Sequence, residues 1–229
     1  MRNLLTTSLL VVAATMLGCN QTGYIPVDPP VPTADTTEVK DSESFQVKLE
    51  TSKGIIVLEV HPEWAPKGAA RFRELIDIGF YNECRFFRVI KGFMAQIGIN
   101  GNPEVQAKWR SNQIMDDPVK KSNVRGYVSF ATSGPNSRST QFFINFGNNR
   151  SLDGQGFSPF AKVVEGMEVV DALYDGYGEG APSGRGPDQS QMQYEGNKYL
   201  AERFPELDYI VKATIISDKT DDAAKEPSE

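Results

Sequence analysis

Strict alternation of apolar and polar residues marks the first ordered stretch of the chain. Phe45, Val47 and Leu49 fall on one face and Gln46, Lys48 and Glu50 on the other, the period-2 signature of a half-buried strand. Ser52-Lys53-Gly54 has turn chemistry, and the apolar run Gly54 to His61 predicts a second strand paired with the first. The period then changes. Pro66 suits a first helical turn, and Ala69, Phe72, Leu75 and Ile76 recur at helical spacing up to Gly79, so a helix is expected there. β-Branched and aromatic runs return at Cys84 to Gln96, Gly126 to Ala131, Gln141 to Phe146 and Phe160 to Val164, and Leu207 to Ser217 alternates as a closing strand would. Met167 to Tyr174 reads as a second short helix and the polar stretch Asn100 to Val124 mostly as loop. Many short strands divided by turn signals, with few helices, predict a mainly β chain closed into an antiparallel barrel with a helix over one end.

One strand carries a residue at odds with its surroundings. Arg88 sits inside the run Phe86 to Ile90, where alternation places it on the face of Phe86 and Ile90. Desolvating a guanidinium there costs free energy unless something compensates. Two readings stand: a barrel arginine held by a buried carboxylate, or a cation kept for chemistry. Gly92 lets the chain turn and brings Phe93, Met94 and Gln96 in behind, so a cation, apolar surface and an amide gather in one short stretch. A second stretch, Gly126 to Asn145, reads as strand, polar loop, strand. Its loop, Thr132 to Ser139, holds the turn formers Gly134, Pro135 and Asn136, and Gln141 and Phe143 share a face of the strand that follows.

Composition and charge then bound the rest. A chain of 229 residues, 39% hydrophobic, makes one ordinary domain with appendages. Arg2 and the apolar run Leu4 to Leu17 form a leader over residues 1–18, too short to cross a membrane as a helix. Met16-Leu17-Gly18-Cys19 resembles the lipobox of bacterial lipoproteins, which makes Cys19 the lipidated first residue of an exported, membrane-anchored chain. Residues 19–44, with Pro26, Pro29, Pro30 and Pro32, read as an extended tether and 218–229 as a charged, disordered tail. Loss of the leader removes one basic residue, Arg2, and takes the net charge from −6 to −7. With no basic cluster interleaved with aromatics, a nucleic-acid partner has no support. One histidine, His61, and one thiol besides Cys19, Cys84, are too few for a zinc site, and no nucleophile elbow accompanies them. No metal is expected; His61 reads as structural or exposed and Cys84 as a buried hydrophobe.

The motifs F-x-R-V-I-x-G-F-M-x-Q at Phe86 to Gln96, S-F-A-x-x-G-P-N-S-x-x-x-Q-F-F-I at Ser129 to Ile144, L-D-G at Leu152 to Gly154 and F-A-K-V-V-E-G-M at Phe160 to Met167 resemble those of the cyclophilins, peptidyl-prolyl cis-trans isomerases. The resemblance covers residues 45–217. It implies a closed eight-stranded antiparallel barrel capped by two helices, no cofactor, proline-containing polypeptides as partners and a monomer. It also implies that Arg88 is the catalytic donor, that Phe93, Met94, Phe143 and Leu152 form an apolar cup for proline with Phe157 beside them, and that Gln96 contacts the substrate carbonyl and helps hold the arginine. Backbone groups at Ala131, Thr132 and Ser133 would bind the substrate main chain, with Gln141 alongside.

Departures from the family pattern imply activity with altered peptide preference: Phe87 stands where a histidine is frequent, Thr132-Ser133 replaces Asn-Ala, and Ser151 replaces a tryptophan, so weak inhibition by cyclosporin is expected. Residues 175–205 form an insertion. Its glycines, Gly176, Gly178, Gly180, Gly184 and Gly186, suggest a flexible first half, and Ser190 with Gln193 resembles a capping box for a helix ending at Phe204 before Pro205. That helix would flank the groove and shape substrate choice. The rival to an isomerase is a barrel that grips proline-containing segments of envelope proteins without turnover.

Overall fold

The computed structural model describes residues 43–218. The expected leader, the lipidated Cys19, the tether up to residue 42 and the tail from 219 lie outside the described residues. Eight strands form one curled antiparallel sheet: β1 (Phe45–Thr51), β2 (Gly54–Val60), β3 (Arg88–Ile90), β4 (Met94–Ile97), β5 (Tyr127–Phe130), β6 (Phe142–Asn145), β7 (Pro159–Glu165) and β8 (Ile210–Asp218). Their order across the sheet is β3-β4-β6-β5-β7-β2-β1-β8. The hairpin expected at the start is present, with Phe45 opposite Val60 and Thr51 opposite Gly54.

A closed barrel was expected, but β3 and β8, the two ends of this order, share no continuous ladder. They are approached through the residues before each strand: a single bridge joins Arg85 to Tyr209, with Glu83 N–H to Ile210 O at 2.7 Å and Phe86 N–H to Asp208 O at 2.9 Å. The gap has a local cause. Phe86 and Val89 both turn into the main core while Phe87, between them, packs in a second one, and this spacing of three breaks the period-2 alternation before Arg88. For the same reason Phe86 does not share the face of Arg88.

The main core fills the curl of the sheet. Val47, Leu49, Ile56, Leu58, Val128, Ile144 and Phe142 from the strands meet Ala69, Phe72, Leu75 and Ile76 of helix α1 (Pro66–Asp77), the positions given by the helical spacing. Phe72 stands edge-on to Phe142, centroids 5.4 Å apart, a favoured aromatic geometry. No side chain at Ala65 caps α1. Its orphan amides are met instead by Asp117, whose carboxylate accepts from Lys67 N at 3.2 Å and Gly68 N at 2.8 Å.

Five α-helices lie among the described residues, where two caps and one insertion helix were expected. Residues 100–124 are not all loop: α2 (Pro103–Trp109) starts at Asn102, whose side chain accepts from Glu104 N and Val105 N. Asn before Pro before Glu is a helix start in its own right. The helix expected over Met167 to Tyr174 is shorter, α3 (Met167–Asp171). The insertion's single expected helix is two, α4 (Gln189–Glu195) and α5 (Asn197–Arg203), capped by Asp188 rather than Ser190. Gly196 separates them at φ 60 and ψ −143, and a Cβ there would lie 2.1 Å from Gly101 O. The backbone approach that only glycine allows thus docks the insertion on the loop before α2. Met192, Tyr199, Leu200 and Leu207 form the second core with Phe87 and Ile99.

Candidate active site

The site is built on a row of residues across neighbouring strands. Arg88 in β3 is the direct partner of Gln96 in β4, and Gln96 of Phe143 in β6; opposed residues of an antiparallel pair share a face. One step along, Ile90 faces Met94. The β3–β4 hairpin is tight because Gly92 adopts φ 77, and Phe93 N–H bonds Ile90 O at 2.9 Å. Asn149 ties this turn down, donating its amide to Phe93 O at 2.8 Å and to Asn145 Oδ1 at 2.7 Å.

Met94, Phe143 and Leu152 form a small buried cluster with Ile90, Phe93, Ala131 and Phe157 packed against it. Leu152 sits on a 3-10 helix, Arg150–Gln155. Phe157 follows it and stands edge-on to Phe143, centroids 5.6 Å apart. Buried Asn123 holds that segment in place, donating to Asp153 Oδ1 at 2.8 Å and to Phe157 O at 2.9 Å while its Oδ1 accepts from Ser129 at 2.7 Å. Between these side chains opens a cavity of about 250 Å³ lined by Arg88, Phe93, Met94, Gln96, Ala131, Thr132, Phe143, Leu152, Phe157 and Gln189. Nine of the eleven residues named for the site from sequence, Arg88 among them, therefore line this one cavity.

The guanidinium is held on three of its nitrogens. Nη1 donates to Gln96 Oε1 at 3.1 Å, and Gln96 in turn donates to Gln141 Oε1 at 2.8 Å. Nε and Nη2 donate to the two oxygens of Glu179 at 2.6 and 2.7 Å. Arg88 Cζ lies 5.7 Å from the Phe93 ring centroid. The hydrogen bonds from Arg88 hold the Glu179 carboxyl below the usual carboxylate range, with the Gly180 N–H assisting and partial burial opposing. A carboxylate partner for this arginine was one of the two readings of its strand. The partner is not deep in the barrel: Glu179 comes from the insertion and its side chain is 38% exposed.

Ser133 and Gln141 lie outside the cup, in a second cavity of about 380 Å³ that shares Gln96, Ala131, Thr132 and Gln189 with it. Its walls also carry Gln106 and Gln113 and, from α4, Gln193. These glutamines and Glu179 were missed from sequence. Insertion length was the only signal for the α4 residues. Ser137 organises the loop between the cavities, bonding Thr132 Oγ1 at 2.8 Å and accepting from Ser133 N at 2.9 Å.

The other chemically capable residues are used structurally. His61 sits between Glu63 and Glu59, its nitrogens 2.9 and 3.1 Å from their oxygens, and stacks on Trp64 at 3.7 Å. Cys84 is fully buried, which pushes its thiol up. Among the described residues no group of acidic, histidine or cysteine side chains could hold a metal ion, and no helix is long and apolar enough to cross a membrane.

The family model described as "Cyclophilin type peptidyl-prolyl cis-trans isomerase/CLD" matches residues 46–191. The chain is 39% identical to peptidyl-prolyl cis-trans isomerase-like 3 of Mus musculus over 134 residues, 56% of this chain and 81% of that one. It is 36% identical over 152 residues to a probable peptidyl-prolyl cis-trans isomerase of Brucella abortus (strain 2308), covering 62% and 76% of the two chains. The crystal structure of a cyclophilin type peptidyl-prolyl cis-trans isomerase from Cryptosporidium parvum has the same fold, with a TM-score of 0.57 at 24% identity over 76% of this chain and 99% of that one.

Proposed function

The chain belongs to the cyclophilin-type peptidyl-prolyl cis-trans isomerase family, and from that premise we propose that it accelerates X-Pro rotation by the donor Arg88 set over the cup of Phe93, Met94, Phe143 and Leu152. Amide resonance gives the bond a barrier of roughly 18–20 kcal/mol, and each ~1.4 kcal/mol removed is tenfold in rate. As the bond twists, the proline nitrogen loses conjugation and becomes a hydrogen-bond acceptor. A donor aimed at it binds the twisted form better than the planar one, which is the condition for acceleration. Of the five guanidinium N–H groups, one each on Nε, Nη1 and Nη2 is bonded to oxygen. Nη1 also lies 3.8 Å from Met94 Sδ, a weak acceptor on the cup, and substrate can take that N–H or the second one on Nη2.

The observation that carries this reading is the guanidinium's place on the wall of a cavity of about 250 Å³ that it and Gln96 line together with the apolar cup. The cup seats the proline ring, Gln96 takes the neighbouring carbonyl, and the backbone of Ala131, Thr132 and Ser133 takes the peptide main chain. The polar cavity next door, shared through Gln96 and Thr132, receives side chains before the proline. Ser151 is exposed beside Leu152 and offers no indole to cyclosporin, so inhibition is weak.

The leader and Cys19 support export, lipidation and anchoring to a bacterial envelope membrane, where the substrates are unfolded or extended envelope polypeptides. Incorporation of labelled fatty acid into the full chain, abolished by Cys19→Ser, is the expected outcome; an unlabelled chain would exclude the anchor. The catalytic reading is tested by isomerisation of a short Xaa-Pro peptide with the full chain and with Arg88→Ala. The substitution removes most of the acceleration, leaving a small residual rate, and peptide binding stays in place. Binding without acceleration by the unsubstituted chain would instead make it a proline-binding module.

A further inference from the structure

Glu179 makes the most complete contact that Arg88 has, and it comes from a segment outside the strands that build the cup. Its two oxygens lie 2.6 Å from Nε and 2.7 Å from Nη2, and Oε1 also accepts from Gly180 N at 2.9 Å. Arg88 lines the cup; Glu179 does not. The carboxylate therefore grips the guanidinium along the Nε–Nη2 edge without filling the space where proline would sit.

The loop that presents Glu179 is a packed knot, not the flexible arm its glycines suggested. Glu179 O accepts from Gly186 N at 2.8 Å, Gly180 O from Gly184 N at 3.0 Å, and Gly186 O from Ala181 N at 3.2 Å. A Cβ on Gly184 would lie 2.2 Å from Glu179 O and one on Gly186 2.8 Å from the same atom. These glycines serve close backbone approach. Two residues before Glu179, Tyr177 packs on the second core and stands edge-on to Phe204 at 5.0 Å. The carboxylate is thus as firmly placed as the arginine it holds.

We propose that Glu179 is a positioning residue for the isomerisation, fixing the plane and direction of the Arg88 guanidinium so that its remaining N–H groups point at the cup; this rests on the reading of Arg88 as the donor. Without Glu179, the guanidinium keeps only Nη1's neutral bond to Gln96 Oε1 and its weak contact with Met94 Sδ, and it swings about that one nitrogen. Two charge-assisted bonds in the plane of the fork remove that freedom before substrate arrives. A donor so fixed needs no reorganisation as the amide twists. Because the grip lies outside the cup, it acts on the twisted state and hardly on ground-state binding.

The test is a double-mutant cycle on the full chain with a short Xaa-Pro peptide, reading kcat and KM separately for Glu179→Gln, Arg88→Ala and the pair. Glu179→Gln lowers kcat about tenfold with KM within about twofold, and has no effect in the Arg88→Ala background. The Nε–H resonance of Arg88, slow to exchange in the unsubstituted protein, broadens or vanishes in Glu179→Gln. Gly184→Ala displaces the Glu179 backbone while keeping its charge and lowers kcat in the same way. Unchanged or raised kcat in Glu179→Gln, or an equal loss with and without Arg88, would overturn the proposal. Full activity in Arg88→Ala would instead remove the donor reading, whatever Glu179 does.

Discussion

Replacing Phe87 by alanine tests whether the insertion is part of the folded body or an appendage to it. Phe87 is 1% exposed and is one of the largest fully buried side chains. It projects from the residue before β3 into the cluster of Met192, Tyr199, Leu200 and Leu207. Truncating a buried phenylalanine loses its transfer free energy and leaves a cavity, about 3–5 kcal/mol together. In a domain of this size each kcal/mol moves the midpoint about 2–4 °C, so the expected fall in Tm is about 6–20 °C. Urea denaturation of the full chain, followed by circular dichroism, measures the free energy, with an unchanged m value showing that both variants unfold the same surface. The full loss requires the second core to unfold with the sheet, which Ile99 beyond β4 and Leu207 before β8 make physically continuous. A loss below about 1 kcal/mol, with faster proteolysis confined to residues 175–205, would show the insertion opening by itself and refute the continuity.

Gly196→Ala places a Cβ 2.1 Å from Gly101 O at a φ of 60 and ψ of −143, a region essentially closed to other residues, so a loss of at least about 2 kcal/mol is expected by the same denaturation assay; near-neutral behaviour would show the α4–α5 break is not built on glycine. The Arg88 hydrogen bonds that depress the Glu179 carboxyl make a pH prediction. A carboxyl whose pKa is lower folded than unfolded stabilises above its unfolded value and loses that contribution as pH falls through the folded one. The stability difference between the unsubstituted chain and Glu179→Gln is therefore present at pH 6 and disappears on acidification below the usual carboxylate range. With the side chain 38% exposed it is small, and a difference that grew on acidification would contradict the assigned direction.

Much of the sheet is legible in the sequence because strand burial writes itself as alternation within one segment. Val47 and Leu49 need no knowledge of their partners to be assigned inward. The site's cup is legible for a related reason, since Arg88, Phe93, Met94 and Gln96 are brought together by one hairpin, and a charge among apolar residues announces itself. Most of what was missed depends on atoms far along the chain. Glycines that free a loop and glycines that let backbones touch look identical until the touching atom is known, and for Gly196 that atom belongs to Gly101. Asn102-Pro103-Glu104 carried a helix start that the polarity of its surroundings hid; only Gln106 of α2 is buried. The arginine shows the limit most clearly. Its strand called for a carboxylate without saying which, and the one supplied is 91 positions away in a segment with no strand or helix periodicity of its own. The two readings of Arg88, paired structural cation and functional donor, are then not rivals, because the pairing is made on one edge of a planar group whose other edge stays with the cup.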